Sequence, residues 1–284
     1  MRQRDREWKE ISYMLERLLS GKEVMIQETY EDSIEEKVKH QIVRLSEMIR
    51  GRERQMAEER DGIKELIAEI AHQMRMPLAN MESYMDLLES SSSFDDSKAE
   101  SERREYLQAL RESEGKLRFL TESFIKMARL ENRIIQIKPR RNDLYETLLN
   151  CILAVKKQAD QKNCFISLKA EEKLQAVYDE NWLHEAVCNV LENSIKYSGE
   201  NGEIEVEAQR GEMYTRISVR DSGAGIEEGE ENKIFQRFYR GKGADGQPGF
   251  GLGLYIAREI LLLHGGFVKA KRQNPGMEIS LFLP

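Results

Sequence analysis

Apolar residues return every seven positions from Ile42 onward: Ile42, Ile49, Met56, Ile63 and Ile70 share one heptad position, and Leu45, Arg52, Glu59, Leu66 and Gln73 share the second. A 3.5-residue spacing sustained over this length suits a helix and not a strand, and it defines a seam that faces a second helix. The first set is wholly apolar and the second mixed, which fits a parallel dimeric seam of modest stability. Arg52 and Glu59 are points where its register can move. His72 lies two positions after Ile70, so the same spacing puts it on the outer face. Pro77, five residues further on, removes a backbone hydrogen bond, and a kink is expected just below the histidine.

At 284 residues the chain has room for two domains and at least one buried core. Charged residues make up 33%, and the net charge of −7 does not favour nucleic acid or an anionic membrane surface as the main partner. Cys151, Cys164 and Cys188 form an odd set without metal-type spacing, so they read as buried apolar residues in a reducing compartment. No run approaches the length of a membrane span, and the start Met1-Arg2-Gln3-Arg4-Asp5-Arg6-Glu7 is not a signal peptide. The expected location of these residues is cytoplasmic, as part of a longer protein anchored in a bacterial inner or cell membrane upstream of Met1.

Residues 1–60 read as a helical linker. An amphipathic stretch around Ile11 to Leu19, the connector Ser20-Gly21 and a helix beginning near Asp32 resemble a HAMP-type signalling module, and a plain coiled coil fits as well. Residues 61–132 form the second part. The polar run from Glu89 to Ser97 is a loop, and beyond it Tyr106, Leu110, Ser113, Leu117, Leu120, Phe124 and Met127 recur at three- and four-residue steps. Two helices joined by one loop make an antiparallel hairpin. Its apolar stripe is too long to bury alone, so a dimeric four-helix bundle is expected. From Pro139 the texture alternates: helices over 142–162, 180–197 and 252–264, and strands over 164–168, 175–178, 203–208, 215–220, 267–272 and 277–283. Residues 133–284 are therefore expected to fold as an α+β two-layer sandwich.

Four elements of this last part suit a nucleotide. Asn189 and Asn193 sit four apart on one helix face with Lys196 nearby; amide oxygens suit a hard cation such as Mg²⁺, and the lysine suits phosphate. Asp221-Ser222-Gly223-Ala224-Gly225-Ile226 follows a strand, and its carboxylate can accept from an exocyclic amine, which distinguishes adenine from guanine. The aromatics of Ile234-Phe235-Gln236-Arg237-Phe238-Tyr239-Arg240 can anchor a lid while Arg237 or Arg240 approaches the phosphates. Gly241 to Gly253 holds six glycines and ends in Gly249-Phe250-Gly251-Leu252-Gly253-Leu254, where free N–H groups and a helix dipole favour phosphate. It is neither a P-loop nor a Rossmann fingerprint.

His72 within Glu69-Ile70-Ala71-His72-Gln73-Met74-Arg75-Met76-Pro77, followed by those four elements in order, resembles the two-component sensor histidine kinases over roughly residues 60–284. The second part is similar to the Bergerat-type ATP-binding fold shared with gyrase, chaperone and MutL-like ATPases. That resemblance implies that His72 is the phosphoacceptor, with Gln73 and Arg75 beside it in the catalytic set. It also implies ATP and Mg²⁺ as cofactors, a homodimer, and the receiver domain of a response regulator as partner. Asn193 is then the metal ligand, with Asn189 in the same N box and Lys196 and Tyr197 on the nucleotide. Asp221 contacts the adenine amine in a pocket shaped by Gly223, Gly225 and Ile226. Phe235 and Phe238 mark the F box, Arg237 and Arg240 belong to the nucleotide-binding set, and Gly249, Gly251, Leu252 and Gly253 form the lid. Where ATP-hydrolysing relatives carry a glutamate to activate water, this chain has Asn189.

Two positions depart from the family. Gln73 follows the histidine where an acidic residue is common, a substitution also found in a His-Gln subgroup. Met76 stands where threonine or asparagine is usual, and a thioether cannot orient a water. Autokinase activity with weak phosphatase activity is the resulting expectation. Two other readings stay open: an ATPase or serine kinase of the same nucleotide-binding class, and an impaired scaffold that only binds its partner.

Overall fold

Alternation of buried and exposed residues places the central sheet. Ile204, Val206 and Ala208 are buried on one side of a strand whose opposite side carries Glu203, Glu205, Glu207 and Gln209, and Ile217, Val219 and Asp221 continue that buried row on the next. The computed structural model describes residues 2–20, 33–90, 97–131, 135–241 and 249–284. It divides into two compact units, Met1–Met76 and Pro77–Pro284.

In the first unit, helix α1 (Arg2–Leu19) and the start of α2 (Ile34–Ser90) share a small core of Ile11, Met14 and Ile42, with Leu18, Val38 and Val43 against it. Lys39 donates to Glu10 at 2.8 Å and to Glu36 at 3.2 Å, and those carboxylates, Glu10 first, raise its pKa. Beyond Ile42 the heptad residues Leu45, Ile49, Met56 and Ile63 are exposed. The expected connector around Gly21 lies outside the described residues. Helix α2 runs unbroken through Pro77; the loss of the one bond to the Gln73 carbonyl does not end it.

The second unit begins in the remainder of α2 and continues in α3 (Ser97–Glu131), so the two helices of the expected hairpin are present, with the Tyr84 and Tyr106 rings 6.1 Å apart. The centre of the expected loop, 91–96, lies outside the described residues. Then come β1 (Arg140–Asp143), α4 (Leu144–Gln161), β2 (Phe165–Ala170), β3 (Gln175–Tyr178), α5 (Glu180–Tyr197), β4 (Glu203–Arg210), β5 (Thr215–Asp221), α6 (Gly253–Leu263), β6 (Phe267–Arg272) and β7 (Met277–Leu283). The five-stranded sheet has the order β2-β4-β5-β7-β6; β2 and β4 are parallel and the other pairs antiparallel. Leu148, Val187, Val190, Leu191, Ala257 and Ile260 of the three helices are fully buried with that sheet's apolar row, giving the expected two-layer α+β arrangement.

The expected helix start at 142 is displaced. Residues 140–143 pair with β3, and the Asp143 carboxylate accepts from the N–H groups of Tyr145 (3.0 Å) and Glu146 (3.3 Å), so the helix opens at Leu144. Strand β1 is too short and too charged to show by alternation.

Candidate functional site

Period-two alternation aims Asp221, the last residue of β5, at the same side as Ile217 and Val219, which is the core. A carboxylate there is 3% exposed. One oxygen accepts from the Gly223 N–H at 3.0 Å and the other from the Ser194 hydroxyl of α5 at 3.4 Å. Burial raises its pKa, and hydrogen bonds from the Gly223 and Met277 backbone and from Ser194 oppose the shift. The outcome is a desolvated acceptor at the floor of a cleft.

Helix α5 forms one wall. Asp179 caps it, accepting from Trp182 N–H at 3.3 Å, and the Asp179 N–H itself donates to His264 Nε2 at 3.0 Å. Because the other ring nitrogen faces the Ile260 carbonyl at 2.8 Å, His264 accepts at Nε2 and donates from Nδ1. The ring thus ties the start of α5 to the end of α6. Asn189 spends its amide N–H₂ on the Glu185 backbone carbonyl (2.8 Å) and carboxylate (3.2 Å), and Glu185 pairs with Lys126 of α3 at 2.7 Å. Lys196 donates to the Tyr197 hydroxyl at 3.0 Å and lies over that ring.

Two glycines are required by close approach. A Cβ on Gly223 would stand 2.3 Å from the Tyr197 carbonyl oxygen, so only glycine lets the β5 turn dock against the end of α5. Gly251 has φ +68, and a Cβ there would meet the Tyr239 carbonyl oxygen at 2.6 Å; the Phe238 N–H donates to its carbonyl at 3.0 Å.

These elements enclose a cavity of about 460 Å³. Asn189, Asn193, Lys196, Tyr197, Asp221, Gly225, Ile226, Arg240, Gly249, Gly251, Leu252 and Gly253 all line it. Gly223, Phe235, Phe238 and Arg237 do not. Gly223 sits behind the wall, Phe235 is buried in a one-turn 3-10 helix, Phe238 packs on Phe124 of α3 with ring centroids 6.1 Å apart, and the Arg237 guanidinium lies 5.9 Å over the Tyr255 ring. The lid segment 242–248 lies outside the described residues. Asn193 presents an amide oxygen, a hard donor that suits Mg²⁺ when phosphate and water complete the shell.

Several lining residues were not visible as candidates. Phe119 of α3 stacks on Phe250 across the cavity mouth. Buried Glu230 accepts from the Tyr239 hydroxyl at 2.7 Å and the Glu227 N–H at 3.0 Å, fixing the entry to the lid. Glu192, whose carboxyl burial raises, faces the cavity one helix turn before Lys196. Only the i, i+4 spacing of Glu192 with Lys196 hinted at any of these.

His72 belongs to the first unit, Met1–Met76. It is exposed on α2, as the heptad frame requires, and Arg75 and Met76 are exposed beside it. Gln73 donates from Nε2 to the Glu69 carboxylate at 2.7 Å, which occupies that carboxylate one turn before it.

Residues 63–133 match the family described as the His Kinase A (phospho-acceptor) domain, and residues 178–284 match the histidine kinase-, DNA gyrase B- and HSP90-like ATPases. The sensor histidine kinase YvrG of Bacillus subtilis is 31% identical over 221 residues, 77% of this chain and 38% of that protein. The sensor protein kinase WalK of Staphylococcus haemolyticus is 29% identical over 226 residues, 78% of this chain and 36% of that protein. The chain therefore spans under two-fifths of the length of these relatives. Among solved structures, the histidine kinase AdeS of Acinetobacter baumannii shares the fold with a TM-score of 0.60 at 16% identity, over 75% of this chain and 96% of that one. The histidine kinase ThkA, solved in complex with the response regulator TrrA, has a TM-score of 0.59 at 20% identity, over 82% of this chain and 65% of that one.

Proposed function

This chain belongs to the sensor histidine kinases, and on that premise we propose that it transfers the γ-phosphoryl group of ATP to His72 and then to an aspartate of a response regulator. The observation that carries the proposal is the one cavity lined together by Asn193, Lys196, Asp221 and Gly253, with Asn189 beside them where ATP-hydrolysing relatives carry a glutamate. The Asn189 amide is committed to Glu185.

Each group has one task. Asp221 accepts from the exocyclic amine of adenine, and Lys196, Arg240 and the N–H groups opening α6 take up phosphate charge. Bound at the Asn193 amide oxygen, Mg²⁺ supplies further neutralisation of the phosphates. His72 attacks with an unprotonated imidazole nitrogen while the protein aligns the reactants, since phosphoryl transfer is mainly positioning and electrostatics. Gln73 holds Glu69 and leaves the His72 ring to the incoming phosphoryl group.

Residues 1–60 serve as the signal-carrying helical linker, 61–132 as the dimerisation and phosphotransfer domain, and 133–284 as the catalytic domain. The exposed stripe Ile49, Met56 and Ile63 supports a homodimer, in which a second copy covers it. No helix among the described residues is long and apolar enough to cross a membrane; attachment to a membrane through a segment upstream of Met1 forms part of the proposal.

Incubation with γ-labelled ATP and Mg²⁺ tests the reading. Acid-labile, base-stable label on the protein supports it. Released phosphate without protein label favours an ATPase, and neither product favours an inert scaffold. Met76, 63% exposed one turn beyond His72, presents a thioether where dephosphorylation needs a water-orienting group. A Met76→Thr variant is expected to remove phosphate from a phosphorylated receiver about 10-fold faster than the parent protein with ADP present. Equal rates, or a fast parent, would sink that point.

A further inference from the structure

Cys151 on α4 lies far in sequence from His184 and Cys188 on α5, yet the three side chains' sulfur and nitrogen atoms all fall within 4.8 Å of one another. His184 and Cys188 are four apart and share a helix face. The Cys188 sulfur is 3.6 Å from His184 Nδ1 and 3.8 Å from Nε2, so a small turn of the imidazole aims either nitrogen at an ion beside that sulfur. With Zn–S bonds of about 2.3 Å and Zn–N bonds of about 2.0 Å, the sulfur–nitrogen edge of a tetrahedral zinc site is about 3.6 Å. The observed separation already matches it.

We propose that Cys151, His184 and Cys188 form a binding site for one thiophilic d¹⁰ cation, Zn²⁺ or Cu⁺, that clips α4 to α5. The ligand set of two thiolates and one imidazole selects these ions over Mg²⁺ or Ca²⁺. Access is present. Cys188 lines a small cavity of about 150 Å³ that also holds Glu185 and Glu192, where water or a carboxylate can supply a fourth ligand. Cys151 is fully buried and holds the inner side.

Proton bookkeeping makes the site pH-dependent. Binding forms two metal–sulfur bonds and one metal–nitrogen bond, breaks the S–H bonds and releases those protons to buffer. Affinity is then expected to rise about 10-fold per pH unit for each proton released, up to about 100-fold for two. Cys188 adjoins Asn189, so the same ion stiffens the helix that carries the asparagines of the nucleotide cavity. The metal site stands independently of the kinase reading.

The test uses the full 284-residue chain, reduced with a phosphine and freed of metal. Zn²⁺ and, anaerobically, Cu⁺ are titrated against a chromogenic competitor, with a parallel Co²⁺ titration read for a thiolate charge-transfer band. The expected result is one ion per chain, a Co²⁺ band, a raised Tm and the stated pH slope. Affinity should fall about 100-fold in Cys188→Ser and in His184→Gln, and stay unchanged in Cys164→Ser. Cys188 is only partly buried, and far-UV circular dichroism verifies that its variant folds. Binding of Zn²⁺ alone or of Cu⁺ alone supports the site. Absence of both, pH-independent binding, or binding that survives Cys151→Ser/Cys188→Ser overturns it.

Discussion

Replacing Asp221 by asparagine is expected to weaken ATP binding by about 10- to 100-fold, the worth of a hydrogen bond to a charged, desolvated acceptor. The variant keeps the volume but places an amide N–H₂ where the nucleotide also brings a donor. Because Gly223 N–H and Ser194 hydroxyl already donate to this side chain, the asparagine must orient its oxygen to one partner and lose another. Calorimetric titration with ATP and GTP reads both parts: ATP affinity drops, and the preference for adenine over guanine narrows.

The pH dependence separates this role from a structural one. Burial raises the Asp221 pKa in the folded protein, so the folded state binds this proton more readily than the unfolded chain does. Lowering the pH through that raised pKa therefore removes a destabilising desolvated charge, and this group's contribution to stability improves. Over the same range the acceptor is lost. ATP affinity of the parent is expected to decline on acidification while Asp221→Asn shows a flatter profile. A parent profile no steeper than that of the variant would contradict the assignment.

Gly223→Ala is expected to have the largest effect on stability at the site. Its Cβ would stand 2.3 Å from the Tyr197 carbonyl oxygen and 2.8 Å from the carbonyl carbon, both backbone atoms at the end of α5. No rotamer relieves that contact. Either the β5 turn or the helix end must move, at about 3 kcal/mol or more, and the movement carries Asp221 out of place. Chemical denaturation should show the loss of stability, with ATP binding falling in step. Gly229→Ala makes the control for backbone strain alone, since Gly229 has a positive φ (+83), which Gly223 does not, and a Cβ there meets nothing within 4 Å.

Most of this fold is written in local patterns. The heptad stripe announced α2, and strand alternation announced β3, β6 and β7 at their observed bounds, because one-sided burial imposes those periods directly. The pairing of β1 with β3 was not legible, since it joins residues more than thirty positions apart. The cavity divided in the same way. Asn193, Asp221 and the glycines opening α6 carry chemistry in short runs and could be nominated from them. Phe119 and Glu230 look like ordinary helix and loop residues, and they reach the cavity only through the tertiary fold. Gly223 was nominated for shaping the pocket, and its place behind the wall is a matter of packing against Tyr197, which no spacing reveals. The cysteines mislead most. Their spacing carries no metal signature, and only the packing of α4 on α5 unites Cys151 with His184 and Cys188.

In the proposed reaction the γ-phosphoryl group of ATP comes to rest on His72. After incubation with Mg-ATP, the protein is digested at alkaline pH and the phosphorylated peptide is identified by mass spectrometry. The expected result is a single phosphoryl group on the imidazole of His72, absent from a His72→Gln variant that still binds ATP with parental affinity. A phosphoryl group on any other residue, or undiminished labelling of His72→Gln, would contradict it.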